Sequence, residues 1–253
     1  MTLRELKNYL FIRYGRQTAW IVVGSGVLFG VFMRLWVYSR SFYMSRDSIL
    51  YLGQAKELLR DPASINQFSR PPLFQWLWSR LIWRGLPEVG SGVFLAFLCG
   101  IGVLILIYPL CRELKLGRTA SVLTVWLAAA NPQMVKISIE PLREAPYIFT
   151  LTAVLLLLMV SLYRKNFYWA QSVAAMCGVL CLLSRIEGAQ LWLFWISITV
   201  IYWIKEPRRF WRRLADTLVF PFVSALSLLV MCWIMGYEQL RIFKVVWGLT
   251  VER

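Results

Sequence analysis

The chain contains no histidine. That removes Ser-His-Asp and Cys-His catalysis and leaves acid–base work to carboxylates, Tyr, Lys or Cys. Three short stretches carry the residues suited to it. The first is Ser45-Arg46-Asp47-Ser48, with Tyr51, Ala55 and Leu58 following at helical spacing. Asp47 and Tyr51 are four apart and would share one helical face. The second is Glu140-Pro141-Leu142-Arg143-Glu144-Ala145-Pro146-Tyr147, where Glu140 and Glu144 repeat the same spacing. The third is Ser184-Arg185-Ile186-Glu187-Gly188. A carboxylate at such a place can orient or deprotonate a hydroxyl, and a guanidinium can hold a phosphate.

Each stretch also has a plainer reading. Ser45 or Asp47 can cap the helix that follows. An acid beside a Pro-initiated helix is stabilised by the helix dipole, which accounts for one of Glu140 and Glu144 but not for both. Arg185 and Glu187 can form a surface pair in a tight turn, or Arg185 can snorkel. Arg70, Arg80 and Arg84 read as anchors to lipid headgroups, and Arg34 as a snorkelling residue near the end of the first apolar run. The five cysteines (Cys99, Cys111, Cys177, Cys181 and Cys232) lie in or beside apolar runs without a C-x-x-C pair, and read as small apolar residues.

The elements that must position these groups are helices in a bilayer. Hydrophobic residues are 59% of the 253 and charged residues only 16%, too few to coat a soluble protein of this size. Continuous apolar runs, not alternating ones, favour helices over a closed barrel. Seven spans are expected, at 18–38, 93–111, 119–135, 146–163, 168–184, 189–204 and 214–236. The fold class is therefore all-α: a polytopic transmembrane bundle forming one membrane domain over 1–253. The first span reads as an uncleaved anchor, and its Gly26–Gly30 pair as a close helix contact.

The net charge of +15 is scattered through short connections, which argues against nucleic acid as a partner. Stretches 1–17, 112–118, 164–167 and 205–213 hold Lys and Arg at roughly two and a half times the density of 39–92, 136–145, 185–188 and 237–253. The positive-inside rule then places the N-terminus in the cytoplasm. All three candidate stretches fall on the opposite, outer side. Most of the thirteen acidic residues lie there too. Within the outer loop 39–92, residues 47–60 have a helical mix of polar and apolar positions, and 73–84 reads as an aromatic, basic helix in the interface plane.

Taken together, R-D-S-x-x-Y-L-x-x-A at 46–55, R-P-P-L-F at 70–74, S-I-E-P-L-R-E-A-P-Y at 138–147 and S-R-I-E-G at 184–188 resemble the GT-C superfamily of integral-membrane glycosyltransferases. The likeness is to its protein-mannosyltransferase and aminoarabinose-transferase-like branch (glycosyltransferase family 39-like), and it covers nearly the whole chain. Two features depart from that pattern. Many relatives carry paired acids after the first helix, where this chain has Asp47 between Arg46 and Ser48. Relatives are also commonly longer, so the chain is expected to be a minimal enzyme, a seven-helix core, or a subunit needing a second membrane subunit.

The resemblance implies transfer of a sugar from a polyprenyl-phosphate donor to an acceptor hydroxyl on the outer side of the membrane; with no organelle signal visible, a bacterial inner membrane is the expected setting. Asp47 is expected as the base or acceptor-orienting group, with Glu140 and Glu144 supporting it. Arg143 and Arg185 are expected on the phosphate, with Arg46 and Tyr51 as further substrate-binding candidates. No cofactor is expected; three carboxylates near one mouth would admit a divalent metal, but nothing in the spacing fixes ligands for one. The acceptor's class (protein, glycolipid or polysaccharide) stays open. The alternatives are a transporter and a catalytically inactive accessory subunit.

Overall fold

The computed structural model describes residues 16–41, 43–163, 167–205 and 210–237. Among these the chain is all helical, without strands. The helices are α1 (Arg16–Ser41), α2 (Arg46–Arg60), α3 (Leu73–Trp83), α4 (Glu88–Glu113), α5 (Arg118–Ala130), α6 (Pro132–Ile139), α7 (Glu144–Tyr163), α8 (Phe167–Ser184), α9 (Gln190–Lys205) and α10 (Phe210–Met235). Two 3-10 turns, Pro62–Gln67 and Ile186–Ala189, complete the order. Of the basic residues behind the expected orientation, Arg4, Lys7, Arg13, Arg164, Lys165, Arg208 and Arg209 lie outside the described residues, as does the stretch 238–253.

Among the described residues, four helices are long and apolar enough to cross a membrane: α1, α4, α7 and α10. A fifth span is counted if α5 and α6 form one bent crossing. Over the remaining expected spans, α8 and α9 are helical but shorter. The expected single segment 119–135 is corrected by this bend. α5 and α6 meet at 57°, and the break falls at Asn131. The Asn131 side chain accepts from the N–H groups of Gln133 (2.9 Å) and Met134 (3.1 Å), and Pro132 supplies the first helical residue. Proline has no N–H to bond back into α5, so the ladder stops and restarts. The restarted helix runs on to Ile139 and delivers Glu140 at its end.

Packing is dense where small residues meet. α7 lies against both α8 and α4, α8 also holds α10, and α1 runs beside α5. Ala174 and Ala175 of α8 are fully buried with Val154, Leu158 and Phe220. A Cβ on Gly26 would meet the Trp126 ring at 3.1 Å, and one on Gly30 would press Leu104 at 2.5 Å. The small-residue pair is thus a close helix contact. On the outward faces, Trp233 is 81% exposed and Leu127 72%. A surface this apolar on candidate spans is the signature of a lipid environment.

Arg34 departs from the snorkelling expectation. It is 1% exposed, turned inward among α4, α6 and α7 rather than outward to an interface. Its Nη1 donates to Gly30 O at 2.9 Å, and it lines a small cavity with Gly100, Ser138 and Ile148. The reason is steric: Gly30 and Gly100 leave room for a guanidinium that any larger residue would fill.

Between α1 and α4, helices α2 and α3 form a folded unit. Tyr51 and Ala55 of α2 pack on Phe74 and Trp78 of α3, and Gln75 donates to Gln54 at 3.0 Å. Trp78 is locked to the next helix: its indole N–H donates to Glu88 O at 2.7 Å, and Gly92 lets the ring in.

Candidate active site

Three connections distant in sequence meet at one end of the bundle. Ser45 opens α2 as its N-cap, its hydroxyl accepting from the Ser48 N–H at 3.3 Å. That satisfies a donor the helix leaves orphaned and relieves Asp47 of the capping role. Glu140, 3% exposed, closes the gap between chain segments. Its Oε1 accepts from the Ser45 N–H at 3.1 Å and lies 3.4 Å from the Ser48 hydroxyl. A buried carboxylate with donors from another segment is a clamp, because removing it strands both the carboxylate's donors and the loop they hold. Glu140 therefore fixes where α2 begins, and with it Asp47.

Asp47 and Tyr51 do share a face, as the spacing predicts, and the structure adds Arg70 to them. The Arg70 Nη1 donates to the Tyr51 hydroxyl at 2.8 Å and sits 3.4 Å from Asp47 Oδ1. The headgroup-anchor reading of Arg70 is thereby corrected. The sequence signal was present in R-P-P-L-F, where the two prolines turn the chain back so that α3 stacks on α2. Arg143 also approaches, its guanidinium carbon 6.0 Å from the Tyr51 ring centre, against 5.9 Å for Arg70. The buried Tyr51 thus lies close to two cations. Burial raises its phenol pKa above the ordinary value, and the two arginines oppose that shift.

The third connection arrives from the end of α8. Arg185 Nη1 donates to Glu144 Oε1 at 2.6 Å, while Nη2 and Nε meet Glu187 at 2.7 and 3.2 Å. The Arg185–Glu187 pair expected from sequence is present, but the same guanidinium also bridges to α7. Its planar fork suits this double engagement. Hydrogen bonding from Arg185 pulls the Glu187 carboxyl down to about 2, and Glu187 raises the Arg185 guanidinium in turn. Gly188 makes the tight turn: a Cβ there would come within 2.6 Å of the Leu182 backbone nitrogen.

The result is a half-buried polar mouth holding Asp47, Glu140, Glu144 and Glu187 beside Arg70, Arg143 and Arg185. Arg46, by contrast, is exposed at the start of α2. Two atoms inside the mouth are buried and have no hydrogen-bond partner, Arg143 Nε and Glu144 Oε2. Such orphans are costly unless a ligand or water meets them. A buried donor and a buried acceptor on adjacent residues are suited to a ligand carrying both an anionic group and a hydroxyl. Among the described residues no three acidic or cysteine groups gather in a way that could hold a metal ion. Comparison of the chain with protein-family models, curated proteins and solved structures gave no match.

Proposed function

We propose that the chain is a GT-C-type glycosyltransferase that moves a sugar from a polyprenyl-phosphate donor to an acceptor hydroxyl. The observation that carries this reading is the meeting of three charged connections at one mouth, with Arg143 and Glu144 each keeping an orphaned atom there. A polyprenyl donor is insoluble in water, so its enzyme must work at the membrane boundary. The apolar spans and polar mouth suit that requirement. Charged groups kept at such a boundary are more often functional than ornamental.

In this reading Asp47 takes the proton of the acceptor hydroxyl as its oxygen attacks the anomeric carbon. The new glycosidic bond forms while the bond from that carbon to the phosphate oxygen breaks. The polyprenyl phosphate leaves with the electron pair, and Arg143 and Arg185 stabilise its charge. Arg70 and Tyr51 orient Asp47. Glu140 acts as a positioning residue through Ser45 and Ser48. Glu144 and Glu187 hold Arg185 in place, and Arg46 reaches the donor from the rim. A second membrane subunit would complete the site if the chain is a core only.

Seven crossings, with α5–α6 counted as one bent span and α8 and α9 included, would put the three connections on the same face. An N-terminus in the cytoplasm makes that face extracytoplasmic, and the inner membrane of a bacterium is the setting proposed. Their mutual contacts support this arrangement. Two spans that began on the wrong side could not bring Ser45, Glu140 and Arg185 to one mouth.

The test is mass spectrometry of the gently purified protein for bound polyprenyl-phosphate sugars, in wild type and Arg185→Ala. A lipid-linked sugar retained by wild type and lost in the variant supports the proposal. No such lipid in a folded sample supplied with donor overturns it. The broken α5–α6 crossing favours one second reading, a transporter, because interrupted helices line substrate paths. Labelled substrate crossing sealed vesicles chemically unchanged would establish that instead.

A further inference from the structure

A second concave site, sharing no residue with the Asp47 mouth, lies along α3. It has a volume of about 310 Å³ and is lined by Trp76, Leu77, Arg80, Trp83 and Arg84 of the α3 segment together with Leu95 of α4. Three features give its chemistry. Each ionisable group in the lining is a cation, and neither Arg80 nor Arg84 has an acidic partner among the described residues. Glu88, the acid nearest in sequence, is taken by Lys56 at 2.5 Å. Arg80 instead lies over the Trp76 ring at 5.2 Å.

The second feature is an unmet donor. The Trp76 indole N–H is buried and has no hydrogen-bond partner, in a ring that forms part of this lining. A buried donor of this kind is satisfied in nearly all proteins by some acceptor. The third feature is depth. Leu95 is seven residues into α4, about 10 Å along the axis at 1.5 Å per residue, and α4 is long and apolar enough to span a membrane. The site therefore opens beside the end of a span, where lipid headgroups and the first methylenes of their chains lie. Trp83, 72% exposed at the end of α3, adds an aromatic ring of the kind that settles at that boundary.

From these the geometry points to a binding site for one anionic glycerophospholipid. Its phosphate lies between the Arg80 and Arg84 guanidiniums, an ester or phosphate oxygen accepts from the Trp76 N–H, and an acyl chain runs along Leu77 and Leu95. Guanidiniums suit a phosphate better than ammonium groups do, because their fork matches two oxygens at once. With two guanidiniums and no acid in the lining, the net positive charge favours an anionic headgroup over a zwitterionic one. The occupant is a structural lipid that seats α3 against α4, and its site does not depend on the transfer reaction.

The experiment is native mass spectrometry of the full chain in mixed micelles holding equal amounts of phosphatidylglycerol and phosphatidylcholine. Wild type is expected to retain phosphatidylglycerol about tenfold over phosphatidylcholine. The double variant Arg80→Gln/Arg84→Gln should retain the two lipids equally, and Trp76→Phe should lower the preference by a smaller factor while keeping the ring. Equal retention by wild type overturns the proposal, as does a preference that survives in a folded double variant. Should the double variant not fold, the wild-type preference is followed as sodium chloride is raised. A guanidinium–phosphate site at the membrane surface weakens with salt, and a preference indifferent to salt overturns the proposal equally.

Discussion

The seam between α4 and its neighbours and the mouth at the ends of α2, α7 and α8 are both tightly built, by opposite means. In the seam, backbones approach because glycine leaves space. A Cβ on Gly100 would stand 2.0 Å from the Ser138 hydroxyl, and one on Gly92 would stand 2.4 Å from the Trp78 ring. In the mouth, the segments are held by charge: Glu140 on Ser45 and Ser48, Arg185 on Glu144 and Glu187. Lipid offers no hydrophobic gain for helix–helix contact, so a seam must be made from close fit. The mouth keeps its charges, and so is made from ion pairs. Adding a methyl group should break the first, and removing a charge the second.

The largest expected effect is on chemistry. If the proposed transfer holds, Asp47→Asn keeps the shape of the side chain and loses the base, so transfer should fall by about 10²–10⁴-fold. Thermal stability should barely move, since Asp47 is half exposed and its pair with Arg70 is a surface one. Normal transfer by this variant would end the role given to Asp47. Next is the seam: Gly92→Ala drives a Cβ into a ring pinned by its own hydrogen bond, at a cost of about 1–3 kcal/mol. Thermal unfolding in detergent checks this, and an unchanged midpoint would show that Trp78 can yield.

Glu140→Gln tests the clamp. It leaves one side-chain oxygen but loses the charge-assisted bonds to Ser45 and Ser48, costing about 1–2 kcal/mol. If Glu140 positions α2, transfer should drop with the acceptor's KM little changed and no shift in the pH profile. A shifted profile would instead make Glu140 the proton acceptor.

The smallest effect is one of pH. The folded Glu187 carboxyl, at about 2, lies below its unfolded value near 4.3. Its contribution is therefore complete above the unfolded value and is lost as the pH falls toward 2. Lowering the pH from about 4.5 to about 2 should loosen the Arg185 turn, and Glu187→Gln should flatten that part of the stability profile. An unchanged profile would make the pair dispensable.

Much of this was legible along the chain. Continuous apolar runs announce helices because every residue of a helix bonds within its own segment, so their positions follow from local composition. Six of the seven expected runs are helical over their described residues to within a residue of their ends, and the remaining one, 119–135, is two helices broken at Asn131. The N-cap at Ser45 and the break at Asn131-Pro132 are equally local signals. The break was missed because hydropathy averages over a window and passes across a proline. The charged stretches at 45–51, 140–144 and 184–188 were also visible as groups, and the structure brings them together.

What the sequence by itself determined is therefore the helical, membrane-seeking class of the chain and the identity of most residues at the mouth. Only the tertiary structure decided their partners. Ser45 and Glu140 are 95 residues apart, and Glu144 and Arg185 are 41 apart. Such contacts depend on how helices rotate and cross, which no periodicity within one helix encodes. The same holds for three cations of one chemical type. Arg70 turns to Tyr51, Arg34 is buried between glycines, and Arg80 faces an open groove. A guanidinium's long stem lets the surrounding packing choose among these fates, and that packing exists only once the helices have met.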